Sequence, residues 1–394
     1  MLAFSTQQPR TNYYWVGEGS AMDKIAEFRT IIENPYSYLQ KIKDESGKKV
    51  IGYVCSYAPE ELIYAAGALP VRLFGSDSII HRADLHLQSY CCSLVRGILE
   101  EALSGRLDLL DGMVFPHTCD SIQRLSDVWR LNLLKSFHAD VVLPVKLNTP
   151  SAKRYLIDVL NKFKTDLERW LNKEITDEDL TRAVKTYNAI RSLMTRLYRL
   201  RCENPQVISG QDFHTLIRAA MIVERNHFLE ALTAITADLE KIAPDKKLSG
   251  AKRLVLTGGI CNHPNVYDAI EDAGGVVAGD DLCTGSRYFE GAIDDHLPPL
   301  DAIAERYTKR AVCPAKHSGL TSRGENLVRT VKNCAADGVI FMLLKFCDPH
   351  AFDYPYLKEM LDREKIPSLL LEMEEQTQAG GQLQTRLETF IQIL

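Results

Sequence analysis

At 394 residues the chain is long enough to bury large apolar cores in two or three domains, so it needs no disulfide bonds to hold it together. Its net charge of −5 and its dispersed basic residues give no sign of a nucleic-acid-binding surface or a polybasic membrane anchor. We find no apolar run of about 18 residues and no signal-peptide pattern, so we expect a cytoplasmic protein that binds neither nucleic acid nor membrane. In that reducing compartment the ten cysteines are not explained by disulfides, which leaves packing, metal binding and catalysis as their roles.

The first part of the chain alternates between strand and helix patterns. Residues 1–21 lack periodicity and are predicted to be a disordered leader, with both Met1 and Met22 open as the true start. Residues 22–150 are predicted to form one α/β domain, since helices between successive strands are typical of a parallel sheet. The predicted elements are helix 22–42, strand 50–54, a helix from Pro59, strand 70–74, helix 86–103, strand 112–115, helix 120–131 and strand 141–145.

The remainder of the chain divides into a helical part and a second alternating part. Residues 151–250 have long stretches of helical period with almost no strand signal. Residues 251–394 resume the alternation and are predicted to be a second α/β domain, with strands 254–257, 275–278, 338–344 and 368–372. We therefore predict an α/β fold of two Rossmann-like parallel-sheet domains, with the helical segment between or around them.

Two cysteines follow predicted strands, one in each α/β domain. Cys119 fills a strand-to-helix turn, Cys347 lies just past the strand 338–344, and each is followed directly by aspartate. Ligands of open α/β sheets bind at the carboxyl ends of the strands, and amides at a helix N-terminus stabilise a thiolate. A single such cysteine is more often a buried packing residue, but two matched turns favour a shared site. The doubled cysteine at Cys91 and Cys92 is the obvious source of a third ligand.

The spacing of these cysteines limits the kind of metal site. Zinc sites and ferredoxin sites usually have closely spaced CxxC pairs, which are absent here. Dispersed ligands indicate a site that the fold assembles. Three thiolates on a [4Fe-4S] cluster leave one iron without a protein ligand, and that iron can act as a Lewis acid or an electron relay to a bound substrate.

Segments along most of the chain carry a resemblance to one known family. They are GYVCSYAPEELIYAAGALPVRLFG, QSYCCSLVRG, DGMVFPHTCDSIQRLSDVWR, LTGG, GDDLCTGSR, KFCDP and GQLQTRLETFI. Together they resemble the 2-hydroxyacyl-CoA dehydratase and benzoyl-CoA reductase subunits, the 2-hydroxyglutaryl-CoA dehydratase D-component type, over residues 22–394. The HTCDSIQR and QSYCCSLVRG segments are most similar to the smaller cluster-bearing subunit of ATP-dependent benzoyl-CoA reductases.

The resemblance implies a cofactor, its ligands and two partners. It implies a [4Fe-4S] cluster on three cysteines in each of two homologous subunits, an acyl-CoA between their domains, and electrons from a separate ATP-hydrolysing iron-sulfur activator. Matched by motif, the ligands are Cys92, Cys119 and Cys347. Cys91 stays open as the alternative to Cys92, which we prefer because Ser-Leu-Val-Arg follows it. The chain itself has no P-loop or kinase signature, so ATP is expected only on the activator.

The resemblance leaves the reaction open between two chemistries. Our first expectation is a subunit of a benzoyl-CoA reductase, which reduces benzoyl-CoA or a close aromatic analogue to a dienoyl-CoA with low-potential electrons. The alternative is an (R)-2-hydroxyacyl-CoA dehydratase subunit that acts through a ketyl radical. A third interpretation, from another class, is a non-catalytic iron-sulfur carrier. A carrier needs an exposed cluster and no substrate pocket.

Four further residues are candidates for substrate chemistry. Arg287 either pairs with phosphates of coenzyme A or forms a structural salt bridge with a neighbouring aspartate. Gly258 and Gly259 follow a strand and could bring backbone amides to a phosphate, although they lack the full dinucleotide or P-loop pattern. His117 is a candidate proton donor, and the alternative is a capping or packing role.

The remaining cysteines and one carboxylate are assigned to simpler roles. Cys283 is expected to support Arg287 rather than to act as a fourth ligand, and Glu372 either faces the site or is a solvated strand end. Packing or helper roles are expected for Cys55, Cys202, Cys261, Cys313 and Cys334.

Overall fold

The computed structural model describes most of the chain. The described residues are 20–75, 79–133, 136–242, 250–260, 265–310, 313–319, 321–374 and 381–394. Nearly all of the predicted leader, residues 1–19, and Cys261 lie outside them. Ser20 and Ala21, also assigned to the leader, are instead the N-cap and the first residue of a helix. In the described ranges no helix is long and apolar enough to cross a bilayer.

The first half contains a four-stranded parallel sheet. Its strands are β1 (Val50–Tyr53), β2 (Leu69–Arg72), β3 (Gly112–Pro116) and β4 (Phe137–Val141). They lie in the order β2-β1-β3-β4, so β1 and β3 are central. Every residue of β1, β2 and β3 is buried, as expected for parallel strands covered on both faces.

The second half contains a sheet of the same design. Its strands are β5 (Lys252–Gly258), β6 (Gly275–Asp281), β7 (Gly338–Leu344) and β8 (Ser368–Met373). They lie in the order β6-β5-β7-β8 and all run parallel. The bounds of β7 are those predicted from its continuous apolar run, and the two parallel sheets confirm the predicted α/β fold class.

Fifteen α-helices are assigned within the described residues. They are α1 (Ala21–Glu33), α2 (Pro35–Ser46), α3 (Glu60–Ala65), α4 (Ser93–Leu103), α5 (Asp120–Asn132), α6 (Pro150–Leu171), α7 (Asp177–Glu203), α8 (Gly210–Ile222), α9 (Arg225–Leu239), α10 (Asn265–Asp272), α11 (Ser286–Phe289), α12 (Pro299–Lys309), α13 (Ser322–Asn333), α14 (Asp348–Arg363) and α15 (Gly381–Ile393). Helices α6 to α9 correspond to the predicted helical segment. They contact both halves, since α8 packs on β2 and α7 packs on α3 and β6. The domain boundaries at 150 and 250 stay predictions.

Several predicted elements of the first half have different bounds in the structure. The helix predicted over 22–42 is two helices, α1 and α2, because Pro35 begins a new helix, and the strand predicted at 70–74 is β2, Leu69–Arg72. The strand predicted at 141–145 is β4, which ends at Val141 because its pairing with β3 runs only from Gly112 to Pro116. The apolar run that suggested it is partly exposed, with Val145 60% accessible. The helix predicted over 86–103 begins only after Cys92, which is its N-cap in an extended conformation. Helices α11 and α12 had no counterpart in the predicted elements.

One cysteine pair corrects the expectation that disulfides play no part. Cys202 and Cys334 were assigned to packing, but their sulfurs are joined in a disulfide with the Cα atoms 4.5 Å apart. The ends of α7 and α13 meet against Gly279, where a Cβ would lie 2.7 Å from the sulfur of Cys334. The missing side chain of Gly279 therefore leaves space for the disulfide. The two cysteines are 132 residues apart in sequence, so no local sequence pattern predicts their pairing.

A single large apolar core extends through both halves. Residues of the first sheet, the helices α6 to α9 and the strands β5 to β8 belong to one continuous cluster of buried side chains. A smaller cluster lies between the second sheet and helices α13 and α14. The core therefore holds the carboxyl ends of β3 and β7 in fixed positions.

Candidate functional site

The three predicted cluster ligands line one cavity of about 610 Å³. Cys92 precedes α4, Cys119 follows β3, and Cys347 follows β7. Each is the N-cap residue of its helix, and backbone N–H groups of the first helical turn act on the thiols of Cys119 and Cys347. The cavity thus draws its cysteines from both halves of the chain.

The thiol of Cys119 is held in a buried turn. The strand ends at Pro116 and α5 begins at Asp120, which leaves Cys119 between them in an extended conformation. Burial raises the pKa of this thiol to about 11, against the opposing effect of backbone N–H groups of Ser121 and Ile122. The free thiol is therefore neutral near pH 7, and only a bound cation would make it a thiolate there.

Cys347 is held by a strained turn and a histidine. The residue before it, Phe346, has a φ of 63°, in the left-handed region that bulky side chains rarely adopt. The Cys347 sulfur lies 3.4 Å from Nδ1 of His350. Burial raises the pKa of the Cys347 thiol to about 12, and a negative charge on Cys119 would raise it further. Burial and two nearby arginines hold the pKa of His350 far below its usual range, so this imidazole is neutral.

The structure distinguishes Cys92 from its neighbour. Cys92 lines the cavity, whereas Cys91 does not. The sulfur of Cys91 instead lies 3.9 Å from the side-chain oxygen of Gln88. Both are buried. The cavity therefore receives Cys92 of the doubled pair, as the Ser-Leu-Val-Arg context favoured.

The spacing of the three thiols disfavours a single zinc ion. The sulfur ligands of one zinc lie about 4 Å apart. Within the described residues, the group of three ligand atoms within 4.8 Å of one another is Asp294, Asp295 and His296, which are exposed. The cavity cysteines form no such group, but they share one cavity. Three cysteines on one cavity are the type of ligand that an iron-sulfur cluster takes, with each cysteine on a different iron.

A loop of the second half forms another wall of the cavity. Residues 313–319 cross to the first half, where the backbone of His317 pairs with the segment after β4. The ammonium group of Lys316 is buried and donates to the carbonyl oxygens of His117 at 3.1 Å and Leu143 at 3.2 Å. Burial lowers the pKa of Lys316, whereas thiolate charge on Cys119 would raise it. The loop thus brings a cation to the thiols, and the sequence patterns did not reveal it.

Aromatic side chains surround the mouth of the cavity. Phe346, Phe352 and Tyr356 line it and are 50%, 77% and 60% exposed. Behind them Arg323 donates to Asp353 at 2.7 Å and fixes α14 against α13. Together they offer a substrate or a partner protein an apolar surface next to Cys347.

The predicted proton donor lies outside this cavity lining. Nε2 of His117 lies 2.8 Å from Oδ1 of Asp140 on β4, and that carboxylate also accepts from the hydroxyl of Ser126. Burial opposes ionisation of Asp140, but these bonds hold its pKa below the usual value. His117 contacts the cavity lining through its backbone carbonyl oxygen, which accepts a hydrogen bond from Lys316. Its catalytic role stays a prediction.

Arg287 and the two glycines form a structural contact beside the cavity. The Arg287 side chain is 3% exposed, pairs with Asp281 at 3.5 Å and donates to the carbonyl of Gly258. Gly258 has a φ of 146°, and a Cβ there would lie 2.0 Å from the carbonyl oxygen of Met342. Gly259 packs near His350. The salt-bridge interpretation of Arg287 matches this geometry, and phosphate binding by these three residues stays a prediction.

Three other cysteines cluster close to the site. The thiol of Cys313 donates to Cys283, which lowers the pKa of Cys283 and raises that of Cys313. The charge of Arg287 also lowers the Cys283 pKa, and the supporting role of this cysteine stays a prediction. A negative charge on Cys55 would raise the pKa of both the Cys313 and the Cys119 thiol. Cys55 therefore lies near both of them. Neither Cys55 nor Cys283 lines the cavity.

Residues 55–394 match the family model described as 2-hydroxyglutaryl-CoA dehydratase, D-component. The chain belongs to this family. It is 31% identical to the β subunit of (R)-2-hydroxyglutaryl-CoA dehydratase from Acidaminococcus fermentans, over 94% of this chain and 98% of that subunit. It is 29% identical to the β subunit of (R)-phenyllactyl-CoA dehydratase from Clostridium sporogenes, over 93% of this chain and 98% of that one.

A reductase component is similar to the same degree. The C subunit of benzoyl-CoA reductase from Thauera aromatica is 29% identical, over 93% of this chain and 95% of that protein. The predicted family is confirmed, and the matched range spans the positions of Cys92, Cys119 and Cys347. As a member of the 2-hydroxyglutaryl-CoA dehydratase D-component family, the chain is an enzyme subunit whose relatives are named as subunits of dehydratases and a reductase.

Proposed function

We propose that this chain holds a [4Fe-4S] cluster on Cys92, Cys119 and Cys347 and works as a subunit of an acyl-CoA enzyme. The observation that carries the proposal is the convergence of these three cysteines, from both halves of the chain, on one cavity of about 610 Å³. When bound, the cluster supplies one-electron transfer at low potential to a thioester beside it. The chain contributes the cavity, the buried cation of Lys316 and the aromatic mouth.

The reaction we propose is the two-electron reduction of benzoyl-CoA, or a close aromatic analogue, to a dienoyl-CoA. Support comes from the sequence around Cys92 and Cys119 and from the similarity to the C subunit of benzoyl-CoA reductase. The exposed rings of Phe346, Phe352 and Tyr356 offer an aromatic acyl group stacking surfaces.

The enzyme works with two partners. The relatives are named as β or C subunits, which supports a homologous second subunit. The resemblance implies a second partner, an ATP-hydrolysing iron-sulfur activator that supplies the electrons, and the chain itself has no P-loop. We place this complex in the cytoplasm. If the chain alone turned over acyl-CoA with a simple reductant, the requirement for both partners would be wrong.

The test is product analysis with the complete complex. The chain, its homologous subunit and the activator are combined anaerobically with ATP and a strong reductant. Benzoyl-CoA and an (R)-2-hydroxyacyl-CoA are then offered separately, and products are followed by mass. We expect benzoyl-CoA to gain two hydrogens. Water loss from the hydroxyacyl-CoA, with benzoyl-CoA unchanged, would overturn the reaction while leaving the cluster assignment intact.

Dehydration of an (R)-2-hydroxyacyl-CoA is the second candidate. It is favoured by the similarity to β subunits of two dehydratases at 31% and 29% identity. The third, a cluster carrier, needs no substrate pocket. Acyl-CoA binding to the assembled anaerobic complex separates the carrier from both enzymes, since a carrier would show none.

A further inference from the structure

The imidazole of His350 lies against one of the three proposed cluster ligands. His350 is in the first turn of α14, and its backbone N–H donates to the carbonyl oxygen of Cys347 at 3.1 Å. Nδ1 of its ring lies 3.4 Å from the Cys347 sulfur. We propose that His350 is a positioning residue, which donates a hydrogen bond from Nδ1 to the sulfur of Cys347 and raises the reduction potential of the cluster. The inference rests on the proposed function, since it needs a cluster on Cys347.

The ring of His350 is enclosed on several sides. The residue is 6% exposed. A Cβ at Gly259 would lie 3.4 Å from Cε1 of the ring, so the glycine allows the backbone after β5 to pack against the imidazole. On another side, Nη2 of Arg287 lies 3.5 Å from Nε2. These contacts, with the helical turn that joins His350 to Cys347, hold Nδ1 at the sulfur.

The neighbour of Nε2 decides which ring nitrogen carries the proton. A guanidinium group can only donate hydrogen bonds, so Nε2 is the acceptor in its contact with Arg287. The single proton of a neutral imidazole is then on Nδ1. The carbonyl oxygen of Gly258 also acts on the ring and would favour a proton on Nε2, but it already accepts from Nη2 of Arg287. Arg287, held by Asp281 at 3.5 Å, therefore favours the tautomer with Nδ1 as donor.

The state of the sulfur leads to the same assignment. A free Cys347 thiol could donate its own proton to Nδ1, but a cysteine that binds iron does so as a thiolate and has no proton to donate. In the cluster-bound protein the contact of 3.4 Å is therefore a hydrogen bond only if Nδ1 carries the proton. Cluster binding and the position of Arg287 both require the same donor.

A hydrogen bond to a ligating sulfur acts on the potential of a cluster. Reduction adds negative charge to the cluster and its thiolates, so a donor at the sulfur stabilises the reduced state more than the oxidised state. The backbone N–H of His350 also acts on the Cys347 sulfur, and it remains when the side chain is changed. Substitution of His350 therefore removes one donor and leaves the other.

The experiment is a redox titration of the anaerobically purified full-length chain, followed by electron paramagnetic resonance. Iron per chain is measured first in the wild type and in each variant. His350→Leu removes both ring nitrogens, His350→Asn keeps a side-chain amide at the position of Nδ1, and His350→Gln moves the amide to the position of Nε2. His317→Leu, which removes an exposed histidine of the same cavity lining, is the matched control.

We expect the reduction equilibrium of the cluster to become about tenfold less favourable in His350→Leu, which is a midpoint about 59 mV more negative for one electron. His350→Gln should shift in the same direction, so it provides the test if His350→Leu does not fold. His350→Asn should stay close to the wild type, and His317→Leu should not change the midpoint.

Three results would overturn the role of His350. They are an unchanged midpoint in His350→Leu and His350→Gln, an equal shift in His350→Asn and His350→Leu, and an equal shift in His317→Leu. A wild-type chain that holds no iron would instead refute the proposed cluster itself. The iron measurement, made before the titration, thus separates failure of the proposed function from failure of this inference.

Discussion

Cys91 and Cys92 are adjacent and both buried, yet only Cys92 lines the cavity. We therefore expect Cys92→Ser to lose most of its iron after anaerobic reconstitution, whereas Cys91→Ser keeps it. Iron per chain and the visible absorption of the cluster measure the difference. The pair is a matched control, since each variant removes one buried thiol from the same turn. Iron loss from Cys91→Ser with retention in Cys92→Ser would reverse the assignment.

The sequence located some residues of this site and missed others for a physical reason. Cys119 and Cys347 were recognisable because each follows a strong apolar strand, and strand ends meet at one edge of a parallel sheet. The direction of a side chain in a turn depends on its tertiary neighbours, and so the contact of His117 with Asp140 was not predictable. Lys316 belongs to a loop without periodicity, and its contact with Leu143 spans 173 residues of sequence.

At the scale of elements, the turn before Cys92 depends on one carboxylate. Glu100 of α4 accepts the backbone N–H groups of His81, Arg82 and Ala83 at 2.7–2.9 Å. Burial alone would raise the pKa of Glu100, but these three bonds hold it below its usual value of 4.5. The ionised carboxylate therefore stabilises the fold above that pH, and the contribution disappears as the pH falls through the lower, folded-state pKa.

We accordingly expect Glu100→Gln to lower the free energy of unfolding by about 1–3 kcal/mol at pH 7. The difference from the wild type should shrink as the pH falls below about 4. Urea denaturation at several pH values measures it. Glu45→Gln, at an exposed position on α2, is the control and should change stability by less than about 0.5 kcal/mol. A Glu100→Gln effect that stays constant from pH 7 to acid would contradict this role.

Gly258, at the end of β5, allows a second test of how one residue stabilises an element. Gly258 combines a φ of 146° with a Cβ position 2.0 Å from a backbone oxygen of β7. We expect Gly258→Ala to lower the free energy of unfolding by about 3 kcal/mol or more, since strain and a backbone clash add. Gly274→Ala is the matched control: its φ is 88° but no atom lies within 4 Å of the added Cβ, so about 1 kcal/mol is expected. Equal effects would show that the contact with β7 is unimportant.

The strands were more predictable than the segments between them. A continuous run of buried apolar residues defined β7 to the residue, whereas β4 is an edge strand whose limits depend on pairing with β3. The short helix α11 could not be foreseen, because three of its four residues are buried by contacts with α7 and β6 rather than by a periodic pattern of their own.

For the whole molecule, a buried polar network ties the two halves to the helices between them. The carboxylate of Glu60 lies 3.2 Å from Nη2 of Arg225, 3.3 Å from the hydroxyl of Tyr187 and 3.2 Å from that of Tyr288. These residues come from α3, α9, α7 and α11. Arg225 is fully buried, so its charge has no contact with solvent. With the continuous core, the network couples the stability of the two halves through the helices between them.

Substitution of Arg225 tests how much this network contributes to the free energy of unfolding. Arg225→Met leaves Glu60 buried without its cation, and we expect a loss of about 3–5 kcal/mol in unfolding free energy. The double variant with Glu60→Gln should be less unstable than the sum of the two single variants, because both members of the pair are then removed together. Arg196→Met, in an exposed pair with Glu240, is the control and should cost less than about 1 kcal/mol. Additive effects in the double variant would contradict the coupling.

The central claim is that cysteines from both halves hold one iron-sulfur cluster, and iron analysis tests it most directly. The measurement is iron per chain, with the electron paramagnetic resonance of the reduced protein, after anaerobic purification of the wild type, Cys119→Ala and Cys347→Ala. The account predicts brown wild-type protein with a full cluster, and loss of most of the iron and of its signal in each variant, although one cysteine lies in each half. Full iron retention in both variants would contradict it.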